Sequence, residues 1–196
     1  MTGARLDLHS ALRERGALLK GHFRLSSGRH SDRFVQKFRI LEDPALLEPV
    51  ALAIAQQFRS VKPTVVVGAA VGGILLGYEI ARQLGVKAIF VEKENSLPVL
   101  RRGFSLSAAD RALVVEDVVT TGLSVREVIE VVRHHGALIA GIGVVVVRGV
   151  DLSDLAQDEK VPTFALLDLP LVSYEESECP QCRAGEPVSD PGSRRS

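Results

Sequence analysis

The 196-residue chain has no excess charge of either sign: Lys and Arg number 24, Asp and Glu also 24. A general binder of nucleic acid usually carries a basic surplus, so the balance argues against one. It leaves room for a local cationic site that holds a small polyanion. The chain also lacks a long apolar run. Stretches such as Ile142–Val147 fall far short of the roughly 20 residues that span a bilayer. Met1–Arg15 mixes charged and apolar residues, without the apolar block of a signal peptide. Neither nucleic acid nor membrane is therefore an expected partner, and the cytoplasm is the expected location. Cysteine is scarce too. Cys179 and Cys182 alone give no disulfide framework. Their spacing resembles half a zinc ribbon, but no second pair and no histidine follows, so a metal would need other ligands or a second chain. What remains is ordinary for a globular enzyme, with 46% hydrophobic and 24% charged residues. The length suits one sizeable core with a small appendage.

One stretch organises the rest. The apolar run Ala112–Val115 stops at two adjacent acids, Glu116 and Asp117, and Val118, Val119, Thr120, Thr121, Gly122, Leu123 and Ser124 follow. Val125, Val128, Ile129 and Val132 then recur at helical spacing. Ser124 with Glu127 reads as a capping box, so the helix is expected to start near Ser124 and to end at Gly136. A helix N-terminus offers unpaired N–H groups and partial positive charge, Gly122 permits close approach, and Thr120, Thr121 and Ser124 add hydroxyls. The two carboxylates would repel a bare phosphate. They make sense under a sugar, accepting from ribose hydroxyls or acting through Mg²⁺ on a sugar phosphate. No Lys follows the glycine, so this is not the Walker turn, and the spaced glycines of a dinucleotide fingerprint are absent.

Around this stretch, strands alternate with helices. Strands are expected at 65–68, 86–91, 112–116 and 139–147, with a last one over Val161–Leu169. A helix is expected over Leu6–Leu19 and another from Asp43-Pro44 or, at the latest, from Pro49, with Leu47, Val50, Ile54 and Phe58 inward. A third follows Gly72-Gly73. The pattern is α/β: a doubly wound, mostly parallel sheet covered on both faces. Gly72 and Gly73, the loop after Glu92-Lys93-Glu94 and Arg148 all follow strand carboxyl ends, where ligands bind in such sheets. Residues 95–109 form an unusually long link containing Arg101 and Arg102, which suggests a lid. Phe23 to Lys37 reads as a polar hairpin around Ser27-Gly28. The tail is polar and is expected to be disordered beyond Pro187.

Val114-Val115-Glu116-Asp117-Val118-Val119-Thr120-Thr121-Gly122 resembles the phosphoribosyl pyrophosphate motif of type I phosphoribosyltransferases. Phe23-Arg24-Leu25-Ser26-Ser27-Gly28-Arg29-His30-Ser31 is similar to the hood of the orotate phosphoribosyltransferase branch, in which Lys is common where this chain has Ser26. The resemblance implies Mg²⁺-dependent transfer of phosphoribosyl from 5-phosphoribosyl 1-pyrophosphate to orotate, giving orotidine 5′-phosphate and pyrophosphate in pyrimidine synthesis. It implies catalytic roles for Glu116, Asp117 and Lys93. The donor would be held by these three, by Val118–Ser124, by Gly72 and Gly73, and by Arg101 and Arg102 in place of the usual loop Lys and His. Orotate would meet Thr120, Arg148, Ser27, Arg29 and Phe34. Mg²⁺ would be held mainly through the substrate, with no direct protein ligand. It further implies a small N-terminal hood over residues 1–40, a core over 41–172 with a mobile loop at 94–109, a tail over 173–196, and a homodimer with shared active sites. Two other readings stand beside it: a phosphoribosyltransferase for purines or other bases, and a non-catalytic regulator of the same fold that binds nucleotides or RNA.

Overall fold

A computed structural model describes residues 7–25, 27–155, 161–169 and 172–191; Leu6, Ser26 and residues 192–196 lie outside the described set. The chain forms two compact units, one of Leu41–Leu169 and one of Met1–Ile40 with Pro170–Ser196. Among the described residues no helix is long and apolar enough to cross a membrane.

The first helices are α1 (Leu8–Glu14), the single turn α2 (Phe38–Leu41) and α3 (Pro44–Phe58). The Asp43 carboxylate accepts the Ala45 N–H at 3.0 Å, and Pro44 occupies a first turn where its missing N–H is not needed. Pro49 lies inside α3 rather than opening it. One lost backbone bond is outweighed by the buried stripe of Leu47, Val50, Ile54 and Phe58, each worth roughly 1.5–3 kcal/mol. The helix expected over residues 6–19 is shorter. α1 stops at Glu14, Gly16 takes φ 63°, and Leu18 already starts a strand.

The larger unit is built on a six-stranded sheet of β3 (Val65–Ala69), β4 (Lys87–Glu94), β5 (Leu97–Leu100), β6 (Arg111–Val119), β7 (Leu138–Val147) and β8 (Thr163–Asp168). Their order is β5-β4-β3-β6-β7-β8, parallel throughout except for β4 against β5. The crossover helices are α4 (Gly72–Leu84) and α5 (Leu123–His134). Val65, Val67, Ala112 and Val114 point to one face and pack with Val125, Val128, Ile129 and Val132 of α5. The alternate residues Val66 and Val115 face α4 at Gly77. α3 packs beside α4 and covers β7, where Gly141 and Gly143 leave room for Phe58 and Ile54. This is the doubly wound α/β sheet the alternation predicts.

The stretch expected as one long link is partly a hairpin. β4 runs on through its acids, Asn95 and Ser96 turn with φ 50° and 66°, and β5 returns along the sheet edge. Positive φ at both central residues suits the twist of a two-residue hairpin turn. Pro98 is tolerated because β5 is an edge strand.

In the smaller unit β1 (Leu18–Arg24) and β2 (His30–Val35) form the expected hairpin. The tail pairs with it as far as Ser189, two residues past the point beyond which disorder is expected. Tyr174 pairs with His30 on one edge and Ser189 bridges to Phe23 on the other. A last short helix, α6 (Pro180–Arg183), lies between them.

Candidate active site

β6 delivers two acids to its carboxyl end. Glu116 and Asp117 are 6% and 2% exposed. One oxygen of each is turned to the backbone: the Asp117 N–H donates to Glu116 Oε1 (3.0 Å), and the Val118 N–H donates to Asp117 Oδ1 (2.6 Å). These bonds fix the carboxylates where the strand meets the next turn.

In that turn, Gly122 rather than Ser124 is the N-cap of α5, at φ 77°. A left-handed glycine starts the helix earlier than a Ser cap would, so the expected capping box does not form. Glu127 instead accepts from Lys93 Nζ at 2.7 Å. Gly122 has no side chain to cap α5, and Thr121 Oγ1 accepts only the first N–H, that of Leu123, at 3.4 Å. The leading N–H groups of α5 therefore face an open hollow lined by Glu116 and by Val118–Val125, a ready anion seat. Two contacts without a signal in the sequence hold the turn. Arg126 donates to the Thr121 carbonyl at 2.9 Å, and Leu155 packs so closely that a Cβ on Gly122 would lie 2.3 Å from its Cδ2.

The Gly72-Gly73 turn leaves the adjacent strand, with Gly68 of β3 in register with Val115 of β6. A Cβ on Gly68 would meet the Gly73 carbonyl oxygen at 2.3 Å, so strand and helix start are in backbone contact. The Ala70–Val71 peptide is cis, and α4 also begins without a side-chain cap.

Lys93 lies near the end of β4 and reaches α5 through Glu127. Arg101 donates to Glu94 at 2.6 Å and Arg102 to Glu92 at 2.9 Å, and both arginines are exposed. Exposed pairs of this kind are worth at most about 1 kcal/mol and exchange readily for a polyanion. Arg148 follows β7, and its N–H bonds the Val119 carbonyl at 2.9 Å, which sets it beside Thr120. Its Nε is buried with no hydrogen-bond partner among the described residues, and burial lowers the pKa of the guanidinium. It stays charged, so an acceptor is energetically owed to it.

Thus Glu116, Asp117, the 118–124 turn, Gly72, Gly73, Lys93 and Arg148 all stand at the carboxyl ends of neighbouring strands in one sheet. Ser27, Arg29 and Phe34 belong to the other unit. Ser27 is in the exposed hairpin turn, and Phe34 stacks at 5.8 Å on Phe23. Arg29 donates to Ser173 Oγ (3.0 Å), to the Ser173 carbonyl (2.7 Å) and to Glu175.

Residues 38–164 match the model of the phosphoribosyl transferase domain. The chain is 47% identical to orotate phosphoribosyltransferase of Pelotomaculum thermopropionicum, over 96% of this chain and 97% of that one. The chain belongs to the orotate phosphoribosyltransferase family. A second relative of that name, from Caldanaerobacter subterraneus subsp. tengcongensis, is 48% identical over 90% of each chain. The crystal structure of orotate phosphoribosyltransferase from Aeropyrum pernix superposes with a TM-score of 0.70 at 30% identity, covering 83% of this chain and 93% of that one. The family's sheet and its crossover helices are those described above.

Proposed function

We infer that this protein transfers the phosphoribosyl group of 5-phosphoribosyl 1-pyrophosphate to orotate, releasing pyrophosphate and forming orotidine 5′-phosphate for pyrimidine (UMP) synthesis. The observation that carries the choice of base is Arg148. A charged guanidinium at the carboxyl ends of the strands, with a buried Nε that has no partner among the described residues, suits an acidic base such as orotate better than a neutral purine.

The start of α5, with Thr120, Thr121, Gly122 and Ser124, takes the 5′-phosphate, while Val118, Val119 and Leu123 shape the turn. Glu116 and Asp117 accept from the ribose hydroxyls and stabilise the positive charge that grows on the sugar as pyrophosphate departs. The backbone of Gly72 and Gly73 and the cations of Lys93, Arg101 and Arg102 receive the pyrophosphate. Arg148 and Thr120 orient orotate, with Ser27, Arg29 and Phe34 as its further contacts from the N-terminal hood. Positioning and charge stabilisation suffice, and no covalent nucleophile is required.

The donor set fits Mg²⁺, a hard cation that takes carboxylate, hydroxyl and phosphate oxygens. Only two carboxylates stand at the turn, and among the described residues no group of three acids gathers there, which supports an ion held mainly through substrate oxygens. Bound so, it would neutralise pyrophosphate charge. Residues 94–109 act as the mobile loop that closes over the donor. A cytoplasmic homodimer is proposed, with no membrane or nucleic-acid partner. Val71, Leu75 and Tyr78 support it, as an exposed apolar stripe at i, i+4 and i+7 along α4.

The test is an absorbance assay with donor, Mg²⁺ and orotate, run beside hypoxanthine, adenine and uracil. Consumption of orotate alone is expected. Turnover of a purine instead would replace this reading with that of a purine phosphoribosyltransferase, and no turnover of any base would favour a regulator.

A further inference from the structure

We propose that His22, His30, Cys179 and Cys182 form a closed tetrahedral site for one Zn²⁺ that pins the β1–β2 hairpin to the C-terminal tail. The four ligand atoms all lie within 4.8 Å of one another. His22 Nε2 and His30 Nδ1 are 2.9 Å apart. Cys182 Sγ lies 3.2 Å from His30 Nδ1 and 3.6 Å from His22 Nε2, and Cys179 Sγ lies 3.5 Å from His22 Nε2. Zinc bonds of about 2.0–2.1 Å to nitrogen and 2.3 Å to sulfur give tetrahedral edges of about 3.3 Å between nitrogens and 3.6 Å between nitrogen and sulfur. The four edges given match to within about 0.4 Å, and the other two stay within 4.8 Å.

The second layer is in place. His22 Nδ1 faces the Glu186 carbonyl oxygen at 2.9 Å. A carbonyl only accepts, so Nδ1 carries the proton and Nε2 presents its lone pair to the cluster, the usual arrangement of a ligating imidazole. His22, His30 and Cys179 are 4%, 2% and 1% exposed, as a closed structural site requires and an open catalytic one does not. Nitrogen and sulfur donors exclude Mg²⁺ and Ca²⁺. Both thiols are unbridged. Binding releases their two protons and leaves two thiolates on the metal.

The smaller unit also needs a staple. It is assembled from two distant pieces of chain, and its buried apolar residues among those described are few: Leu12, Ala17, Phe23, Val35, Ile40 and Cys179. So thin a core rarely holds a small unit unaided. The site involves this unit alone, and its geometry does not rest on the activity proposed above.

The experiment is elemental analysis of the full chain, purified in reductant without metal-affinity steps, followed by chelation and Co²⁺ titration. We expect about one zinc per chain, and with Co²⁺ the d–d bands and thiolate charge transfer of a tetrahedral S₂N₂ site. Cys179→Ser and Cys182→Ser should each lower metal content at least about tenfold. Negligible transition metal in the parent protein, together with no tetrahedral Co²⁺ spectrum, overturns the proposal. So does a Cys179–Cys182 disulfide in protein that holds no metal. Both measurements are made on the parent chain, so the proposal stays testable even where a variant fails to fold.

Discussion

Gly122→Ala puts a single methyl group where the turn can least accommodate it. At φ 77° an L-residue costs about 1–2 kcal/mol relative to glycine. The new Cβ would stand 2.3 Å from Leu155 Cδ2 and 3.1 Å from Cδ1, against an ordinary separation of about 3.5–4.0 Å. Leu155 is 3% exposed and cannot swing into solvent. Pushing it off its rotamer costs about 0.5–1.5 kcal/mol more. The total, about 1.5–3.5 kcal/mol, corresponds to a fall in melting temperature of about 3–14 °C for a chain of this size. If the turn retreats instead by about 1 Å, its N–H groups leave the phosphate, and kcat/KM for the donor falls by up to about 100-fold. Initial rates against donor concentration, with a thermal melt, measure both. Leu155→Ala in the same chain removes the steric part and leaves the φ part, so the double variant should lose less than the sum of the singles. A Gly122→Ala protein with donor kcat/KM within about twofold of the parent and an unchanged melting temperature would refute the reasoning.

Three further outcomes follow from the site and its foundations. Asp117→Asn should lower kcat about 100-fold or more while shifting the melting temperature by only a few degrees; rates within a few-fold of the parent would remove it from catalysis. Arg148→Met should raise KM for orotate about 10–100-fold, the loss of a charge-assisted pair, and leave donor KM nearly unchanged. Since it also deletes a buried Nε that has no partner among the described residues, the ligand-free variant should melt no lower than the parent. Asp110, at the foot of β6, is pushed up by burial but held below the usual carboxylate range by the Ser107 backbone and hydroxyl, Thr64 and Lys87. A folded pKa below the unfolded value means stability that is complete above the unfolded value and lost as pH falls through the folded one. Asp110→Asn should thus cost about 1–3 kcal/mol at neutral pH in denaturant titration, and the gap should close below about pH 4.

The sheet and the phosphate turn are legible in the sequence because both rest on local signals. Short β-branched runs such as Val65–Val67 and Leu113–Val115 between helical patterns read as buried strands, and two acids before a hydroxyl-rich turn announce themselves. Boundaries are harder to read where one residue decides. Gly122 in the left-handed region moves the helix start ahead of Ser124, and Asn95-Ser96, which lacks the usual glycine of such turns, conceals a hairpin. Leu155, 33 positions beyond Gly122, is in contact with it only through tertiary packing, which no local pattern reports. The same holds for the cysteines. A zinc-ribbon spacing directs attention downstream for their partners, but His22 lies 157 positions before Cys179 and His30 lies 152 before Cys182.

The division of the chain has a consequence for its biosynthesis. The ribosome makes β1 and β2 before the entire core, and only after it the segment that closes both flanks of the hairpin. The core, contiguous in sequence, can condense while translation continues. The hairpin must wait with bare edges until Tyr174 and Ser189 have been made, so a premature stop before Tyr174 would leave a folded core carrying two sticky strands, a substrate for chaperones or proteases.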